Sequence, residues 1–525
     1  MPARAVFSIG RDFVVYVKTS TATNYYDDLQ HGDEYARLGG SAADHIHHQS
    51  LTLEFEQEQR IRDDKNDSRS VLQIFQMRKS GTITLGAYNL MEGQGKKPQF
   101  DAIYKAFFSA ATGNVASAAE TANPGLTTAS APDTTNLALT KVIVESPDVS
   151  GWSGVPAANQ PITIQGKTDN KHRLRVIDSF SADTPTALED TLFVKPKVPF
   201  AQLNTITDTT HVVNRGMVYK LNKNVTAHLV VTILGSNECM IATGWVPDTI
   251  TWRGSGTEPP MVEVTGPVRD VPVYTGTSQI FNEMGAGIPT SFQVKKGDAR
   301  KFVKGSLVSV WGIAGDAMLG TPNFVGRVTT IVTTNSDYDQ INVETTDLDP
   351  TSLNPDINDE LTPARPGIKT FTGKVIGAKV LAEAGVWMGQ TVNVSPITAL
   401  DDDFFYKATS WEVSITNAID LINDTYGDDA AIGYTAGRAA VNVTIEAYMS
   451  KDLYRILGQA AQFDDLSTLI QVGDTPGAIM GFWMPKVRYN RFGMPNAEND
   501  DKVSVTITGQ AQGTTGQDEF YLLFV

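Results

Sequence analysis

The chain has 525 residues, 41% hydrophobic and 9% aromatic, which is enough apolar surface for several cores and excludes wholesale disorder. Its formal net charge is -16, and no basic stripe is visible, which disfavours tight gripping of nucleic-acid phosphates while leaving open contact with DNA that must not stick. One cysteine, Cys239, excludes an intrachain disulfide framework and a cysteine-rich zinc site.

Plentiful glycine and proline with recurring Thr and Val point to many short strands joined by turns. The opening "MPARAVFSIGRDF" lacks an apolar run of signal-peptide length, and no stretch reaches the ~18 apolar residues of a membrane span. A soluble protein assembled in a cytoplasm is the expectation.

Strand patterns open the chain at "AVFSIGRDFVVYVKT" (5–19), "SLTLEFEQE" (50–58) and "SGTITLGAY" (80–88). In the second, Leu51, Leu53 and Phe55 alternate with Thr52, Glu54 and Glu56, the period of a half-buried strand. A polar excursion over 21–48 separates the first two, and so long a loop inside a domain points to function or mobility. Further on, Phe100, Ile103, Tyr104, Phe107 and Phe108 follow helical spacing and predict a helix lying by that face on a sheet. Residues 109–136 are small, polar and punctuated by Pro and Gly, which reads as a linker.

Two later stretches, 137–196 and 290–345, share an order of strand, turn, strand, loop, basic-led strand, polar turn and strand. They read as two small barrel-like β modules inserted into a larger β domain. The resulting boundaries are 1–130, 216–285 and 369–525 for the pieces of the main domain, with modules at 137–215 and 286–368. Longer alternating strands return between and after the modules. In "AAVNVTIEAYMSKDLYRILGQ", Val441, Val443, Ile445 and Ala447 alternate with Asn442, Thr444, Glu446 and Tyr448. Ser450 can then cap a short helix carrying Leu453, Ile456 and Leu457 on one face.

Chemistry is hard to find. "DHIHHQS" places Asp44, His45, His47 and His48 together, but a zinc site needs a fuller donor set, and a solvated loop is the plainer reading. Asp401 to Asp403 lack the spacing and distal Glu of a calcium loop. No P-loop, G-x-S-x-G elbow or H-E-x-x-H is present, so no catalytic residue, metal ligand or cofactor is assigned. Cys239 reads as a small buried hydrophobe. Trp152 and Trp311 each fall in a module, where a core role is the usual one and an exposed ring could bind sugar.

From Trp411 onward the order "SWEVSITNAIDL", "GYTAGRAAVNVTIEAYMSKDLYRIL", "MGFWMPKVRYNRF" and "KVSVTITGQAQG" resembles the major tail tube proteins of long-tailed phages with non-contractile tails. Gly437-Arg438, the run from Tyr448 to Leu457, and Pro485-Lys486-Val487 carry the likeness. "GWVPDTITWRG" with "VEVTGPV" is similar to the family's central strand pair, and "FDAIYKAFF" to its packing helix. The likeness covers about 300 residues in three pieces, and the two modules are extra to it.

The resemblance implies a mainly β fold: a tail-tube-type sandwich with a flanking helix, interrupted by the two modules. It implies a non-enzymatic virion protein forming a homo-oligomer of hexameric rings stacked into a tube that conducts DNA. Its partners would be a tape-measure protein and genomic DNA in the channel, with terminator and tail-tip proteins at the ends. An acidic or neutral bore would let DNA slide, so the polar positions Glu412, Ser414 and Thr416, and Asn442, Thr444 and Glu446, are candidate channel-lining residues. The candidate inter-ring contact is the polar loop with Tyr25, Tyr26, Asp27, Asp28, Tyr35, Arg37, His45 and His47. The alternative is a multi-domain β adhesin or carbohydrate-binding protein on the tail, with the modules as its binding units.

Overall fold

A computed structural model describes residues 13–19, 45–61, 74–93, 96–108, 140–145, 158–165, 172–181, 189–195, 213–222, 227–234, 239–255, 258–271, 273–274, 278–281, 290–302, 307–311, 325–345, 360–363, 374–377, 384–389, 408–423, 430–449, 465–490, 503–514 and 516–525. The chain is mainly β. It begins with β1 (Val14–Thr19), β2 (His45–Ile46), β3 (Ser50–Ile61), β4 (Ile74–Tyr88) and β5 (Leu90–Met91), then helix α1 (Asp101–Phe108). Next come β6 (Thr140–Glu145), β7 (Pro161–Gln165), β8 (His172–Ser181), β9 (Glu189–Lys195) and β10 (Val213–Arg215). Then follow β11 (Met217–Lys220), β12 (Leu229–Leu234), β13 (Cys239–Trp245), β14 (Thr249–Ser255), β15 (Met261–Val268), β16 (Val273–Tyr274) and β17 (Ser278–Gln279). The next group is β18 (Ser291–Lys295), β19 (Leu307–Trp311), β20 (Val325–Val332), β21 (Tyr338–Thr345), β22 (Glu360–Pro363) and β23 (Lys374–Val375). The last strands are β24 (Ala384–Gly389), β25 (Ala408–Thr416), β26 (Ile419–Ile422), β27 (Gly433–Ala436), β28 (Ala440–Tyr448), β29 (Leu466–Val472), β30 (Met480–Tyr489), β31 (Ser504–Ala511) and β32 (Tyr521–Phe524).

The largest sheet runs β11-β32-β30-β31-β28-β25-β14-β15-β4-β3, with β29 and β24 added beside β30. Its strands alternate as their sequences predict: Trp411, Val413 and Ile415 on β25, and Val441, Val443 and Ile445 on β28, are buried on one side. Against that side pack α1 and a second sheet ordered β16-β13-β12-β1-β2, which supplies Val15, Val17, Leu229, Val231 and Ile233 to the same core. The helix follows its spacing: Ile103, Tyr104, Phe107 and Phe108 are all buried. Tyr104 donates to Asn89 Oδ1 at 2.7 Å, Trp252 Nε1 donates to Tyr104 Oη at 3.4 Å, and Tyr219 donates to Asp101 Oδ1 at 2.7 Å. These bonds satisfy the polar ends of aromatics whose rings fill the centre.

Within this body, which draws on 1–130, 216–285 and 369–525 and shares one core, the pairings contain a repeat. In the first half β3 pairs β4, β4 pairs β15, β15 pairs β14, β13 pairs β12 and β16, and β12 pairs β1. In the second half β25 pairs β28, β28 pairs β31, β31 pairs the end of β30, β30 also pairs β29 and β32, and β29 pairs β24. The two sets correspond strand for strand, with β30 doing the work of β13 and β14 together.

Register fixes which residues are equivalent. Thr84 stands between Thr52 and Thr265 as Thr444 stands between Glu412 and Thr508. Thr84, Ala87 and Tyr88 thereby match Thr444, Ala447 and Tyr448, and Gly266 matches Gly509. Both glycines are required for the same reason. A Cβ on Gly266 would run into the Val246 carbonyl oxygen, and one on Gly509 would lie 2.6 Å from the Tyr489 ring and 2.8 Å from Val487 Cγ1.

Two further sheets stand apart, and they share one strand order. One reads β10-β7-β8-β9-β6 and the other β22-β19-β20-β21-β18, with β17 added beyond β22. In each the third strand of the module carries a bulge against the fourth, at Ile177/Ser179 and at Val328/Thr330. The first sheet docks on the main body: Leu174 and Val176 pack with Leu469, Ile479, Trp483, Tyr521 and Leu523. Gln471 fixes the joint, accepting from the Leu174 N–H at 2.7 Å and donating to the His172 carbonyl at 2.8 Å. The second has its own core of Ile280, Phe292, Val294, Phe302, Val308, Val328, Ile341 and Val343. There Asp339 is buried, pairs with Lys296 at 3.0 Å and accepts from the Gly297 N–H at 2.8 Å. Burial raises its carboxyl, but Lys296 and the backbone N–H donors outweigh that and hold it below the ordinary value.

Several expectations fall outside the described residues: the helix after Ser450, the linker over 109–136, Trp152, and Tyr25, Tyr26, Asp27, Asp28, Tyr35 and Arg37 of the polar loop. The side chains of Cys239 and Trp311 do too.

Candidate functional site: a polar sheet face

Because strand side chains alternate, burying one side of β3, β4, β15, β14, β25, β28 and β31 commits every other residue to the opposite side. The register places the six channel-lining candidates on that single face. Glu412 pairs with Thr444, Ser414 with Asn442, and Glu446 with Ser410, while Thr416 sits at the β14 side of the same strand.

The face extends far beyond them. Thr52, Thr84, Thr265, Thr249 and Thr416 lie side by side across five strands. A second row reads Glu263, Thr251, Ser414, Asn442 and Gln510. Hydroxyls bond across the ladder: Thr84 with Thr265 at 3.1 Å, Thr249 to Thr416 at 3.3 Å, Thr251 to Ser414 at 3.4 Å, and Ser410 to Glu446 Oε2 at 3.0 Å. Sequence reading missed the β3, β4, β14, β15 and β31 members, although the alternation "TITL" and "VEVT" carried the signal.

The face carries an acidic excess. Glu54, Glu56, Glu263, Glu412 and Glu446 occupy it with Arg253, which is tied to Glu263 at 3.2 Å, with Arg78 by the alternation of β4, and with Arg488 of β30 opposite Gln510 at its far side. Such a surface offers hydroxyls and amides for transient hydrogen bonds and repels a polyanion.

Among the described residues β3 pairs only with β4, which leaves its outer side free. On β31, Gly509 to Ala511 pair with β30 and Asn490 donates to the Thr508 carbonyl at 2.8 Å, so among the described residues only Ser504 to Ile507 lack a ladder partner on the side away from β28. A cavity of about 570 Å³ lies at the opposite end of β31, lined in part by Asn417, Arg438, Gln510, Gln512 and Glu519.

His45 departs from the solvated loop expected of it. It lies in β2, opposite Tyr16 of β1, and is buried against the Tyr16 and His47 rings at 5.7 and 4.6 Å. Burial, with the neighbouring His47 and His48, lowers its pKa to about 4. Burial likewise lowers His48. His47 lies just past β2, and its carbonyl accepts from Gln99 Nε2 at 2.8 Å. These histidines anchor the end of the polar loop to the core sheet. Among the described residues no group of three His, Cys, Asp or Glu side chains is placed to hold a metal ion. Nor is any helix long and apolar enough to cross a membrane.

Comparison of the chain with protein-family models gives no match, and comparison with curated proteins gives none either.

Proposed function

We propose that this chain is a structural subunit that builds a hollow tube. Copies join through the open edges of the main sheet, and the polar face turns inward as the wall of the lumen. More particularly, the order of motifs from Trp411 onward supports a major tail tube subunit of a long-tailed phage with a non-contractile tail. In that setting the rings stack, enclose a tape-measure protein during assembly, and later conduct DNA towards the host cell.

One observation carries the reading: a hydroxyl-rich face with an acidic excess continues without interruption over seven strands, and among the described residues nothing pairs with the outer side of β3 at one end or with Ser504 to Ile507 of β31 at the other. Open edges are a pairing liability unless a neighbour covers them, and closure into a cylinder removes them altogether. A separate axial contact that never closes turns rings into a filament. Duplex DNA carries one charge per ~1.7 Å of axis, so a wall bearing Glu412 and Glu446 lets it pass without binding.

Electron microscopy of the purified full-length protein over a concentration series tests this. Rings or stacked tubes are expected. Particles that stay isolated at every concentration, or that bind oligosaccharides as compact monomers or trimers, would favour the adhesin reading instead.

A further inference from the structure

The repeat within the main body predicts the make-up of a ring, an inference that rests on the tube reading. We infer that one ring contains three chains, each contributing two copies of the same wall unit, and that β3 of each chain joins its neighbour's sheet beyond β31, beside the end of β30.

The internal joint between the two halves is the template. There β25, the first strand of the second half, pairs with β14 from Thr249 opposite Thr416 to Ser255 opposite Ser410. β3 is the equivalent first strand of the first half, yet nothing pairs with its outer side among the described residues.

Burial records the difference. Trp411, Val413 and Ile415 of β25 are buried, whereas their equivalents Leu51, Leu53 and Phe55 on β3 are only partly covered. Three large apolar side chains in a row, half-covered at a free edge, lack what β14 and its surroundings give β25. A second copy of this chain, offering the end of β30 beside its β31, supplies that cover in the geometry that β14 gives β25.

Strand spacing then sets the number. Each half gives four strands to the wall: β3, β4, β15 and β14, then β25, β28, β31 and the end of β30. Three chains make a wall of about 24 strands, which at ~4.8 Å per strand has a circumference of roughly 115 Å and a diameter of about 37 Å before tilt. A strand tilt of ~35–45° widens this to roughly 45–52 Å, and side chains take about 5 Å from each wall, half of a ~10 Å sheet spacing, leaving roughly 35–42 Å. B-DNA grooves are ~8.5 and ~7.5 Å deep, so a duplex is at least ~16 Å across and passes singly with a hydration layer around it. Six chains would open a lumen of roughly 80–94 Å, about five such widths, so three chains give the closer fit. Six units per ring, as the sequence resemblance implies, are thus supplied by three chains.

Native mass spectrometry of isolated rings decides the number. The expected mass is three times 56.9 kDa, about 171 kDa, and averaged end-on images should show three-fold symmetry with six similar lobes. Rings of six chains, about 341 kDa, would overturn the inference and leave the tube reading standing, whereas a chain that never forms rings would overturn both. The edge is tested by Phe55→Asp at a half-covered position. That variant should keep its melting temperature within a few degrees and remain monomeric at concentrations where the native chain forms rings. Ring formation by a folded Phe55→Asp variant would overturn the assignment of β3 as the joining strand.

Discussion

Reversing charge on the polar face should turn a wall that releases DNA into one that holds it. In Glu412→Lys/Glu446→Lys two carboxylates become ammonium groups on adjacent strands, Glu412 opposite Thr444 and Glu446 opposite Ser410. Glu412 is exposed but stands opposite Arg253, so its replacement sets like charges face to face, and Glu446 loses one bond from Ser410; the folding cost is about 1–2 kcal/mol. With three chains per ring, each ring gains six cations. Neutralising six phosphates gives a salt slope of about -5, so retention should fall about a thousand-fold between 50 and 200 mM salt. The assay incubates assembled tubes with linear duplex DNA, digests accessible DNA with nuclease and measures what is protected. The native tube should protect none, and the variant should protect DNA at 50 mM salt and release it by 200 mM. If the variant assembles normally and still protects nothing at 50 mM, the face does not line the lumen.

Three other perturbations bear on the architecture. Gly266→Ala should destabilise the chain by about 1–3 kcal/mol in urea unfolding, because the new methyl meets the Val246 carbonyl and lies 2.9 Å from Pro247 Cα. Gln471→Leu leaves the Leu174 N–H and His172 carbonyl without that partner; a loss of about 1–3 kcal/mol and faster proteolysis of the first module are expected. His45 has a folded pKa of about 4 against an ordinary 6.5, so the unfolded chain binds more protons between these values. Its contribution is therefore intact above pH 6.5 and is lost as pH falls towards 4, by at most about 3 kcal/mol; His45→Asn should lessen the fall across that window, leaving the share of His48 and His172, which burial also lowers.

Much of the local structure was legible because periodicity is a local property. The alternation of Trp411, Val413 and Ile415, or Val441, Val443 and Ile445, announces a strand and names its polar face. The spacing from Phe100 to Phe108 announces α1. What alternation cannot say is which strands adjoin. Thr84 and Thr444 are separated by most of the chain, and their equivalence emerges only when each is seen between its ladder partners.

For the same reason the repeat left only a faint trace in sequence. Thr84, Ala87 and Tyr88 agree with Thr444, Ala447 and Tyr448, but such matches are common between any two period-2 strands. His45 failed for a related cause: its polar neighbours suggested solvent, and the partner that buries it, β1, is held in place by β12 from far along the chain. The two small sheets are more local, since β6 to β10 and β17 to β22 are each contiguous in the chain.

The central claim is that the face bearing Glu412, Ser414, Asn442 and Thr444 looks into a lumen. In a Cys239→Ser background, Thr444→Cys can be labelled with gold-tagged maleimide before assembly, and the tubes then imaged in cross-section. The account predicts density on the tube axis side for Thr444→Cys. Label from Thr444→Cys on the outer surface of intact tubes would contradict it.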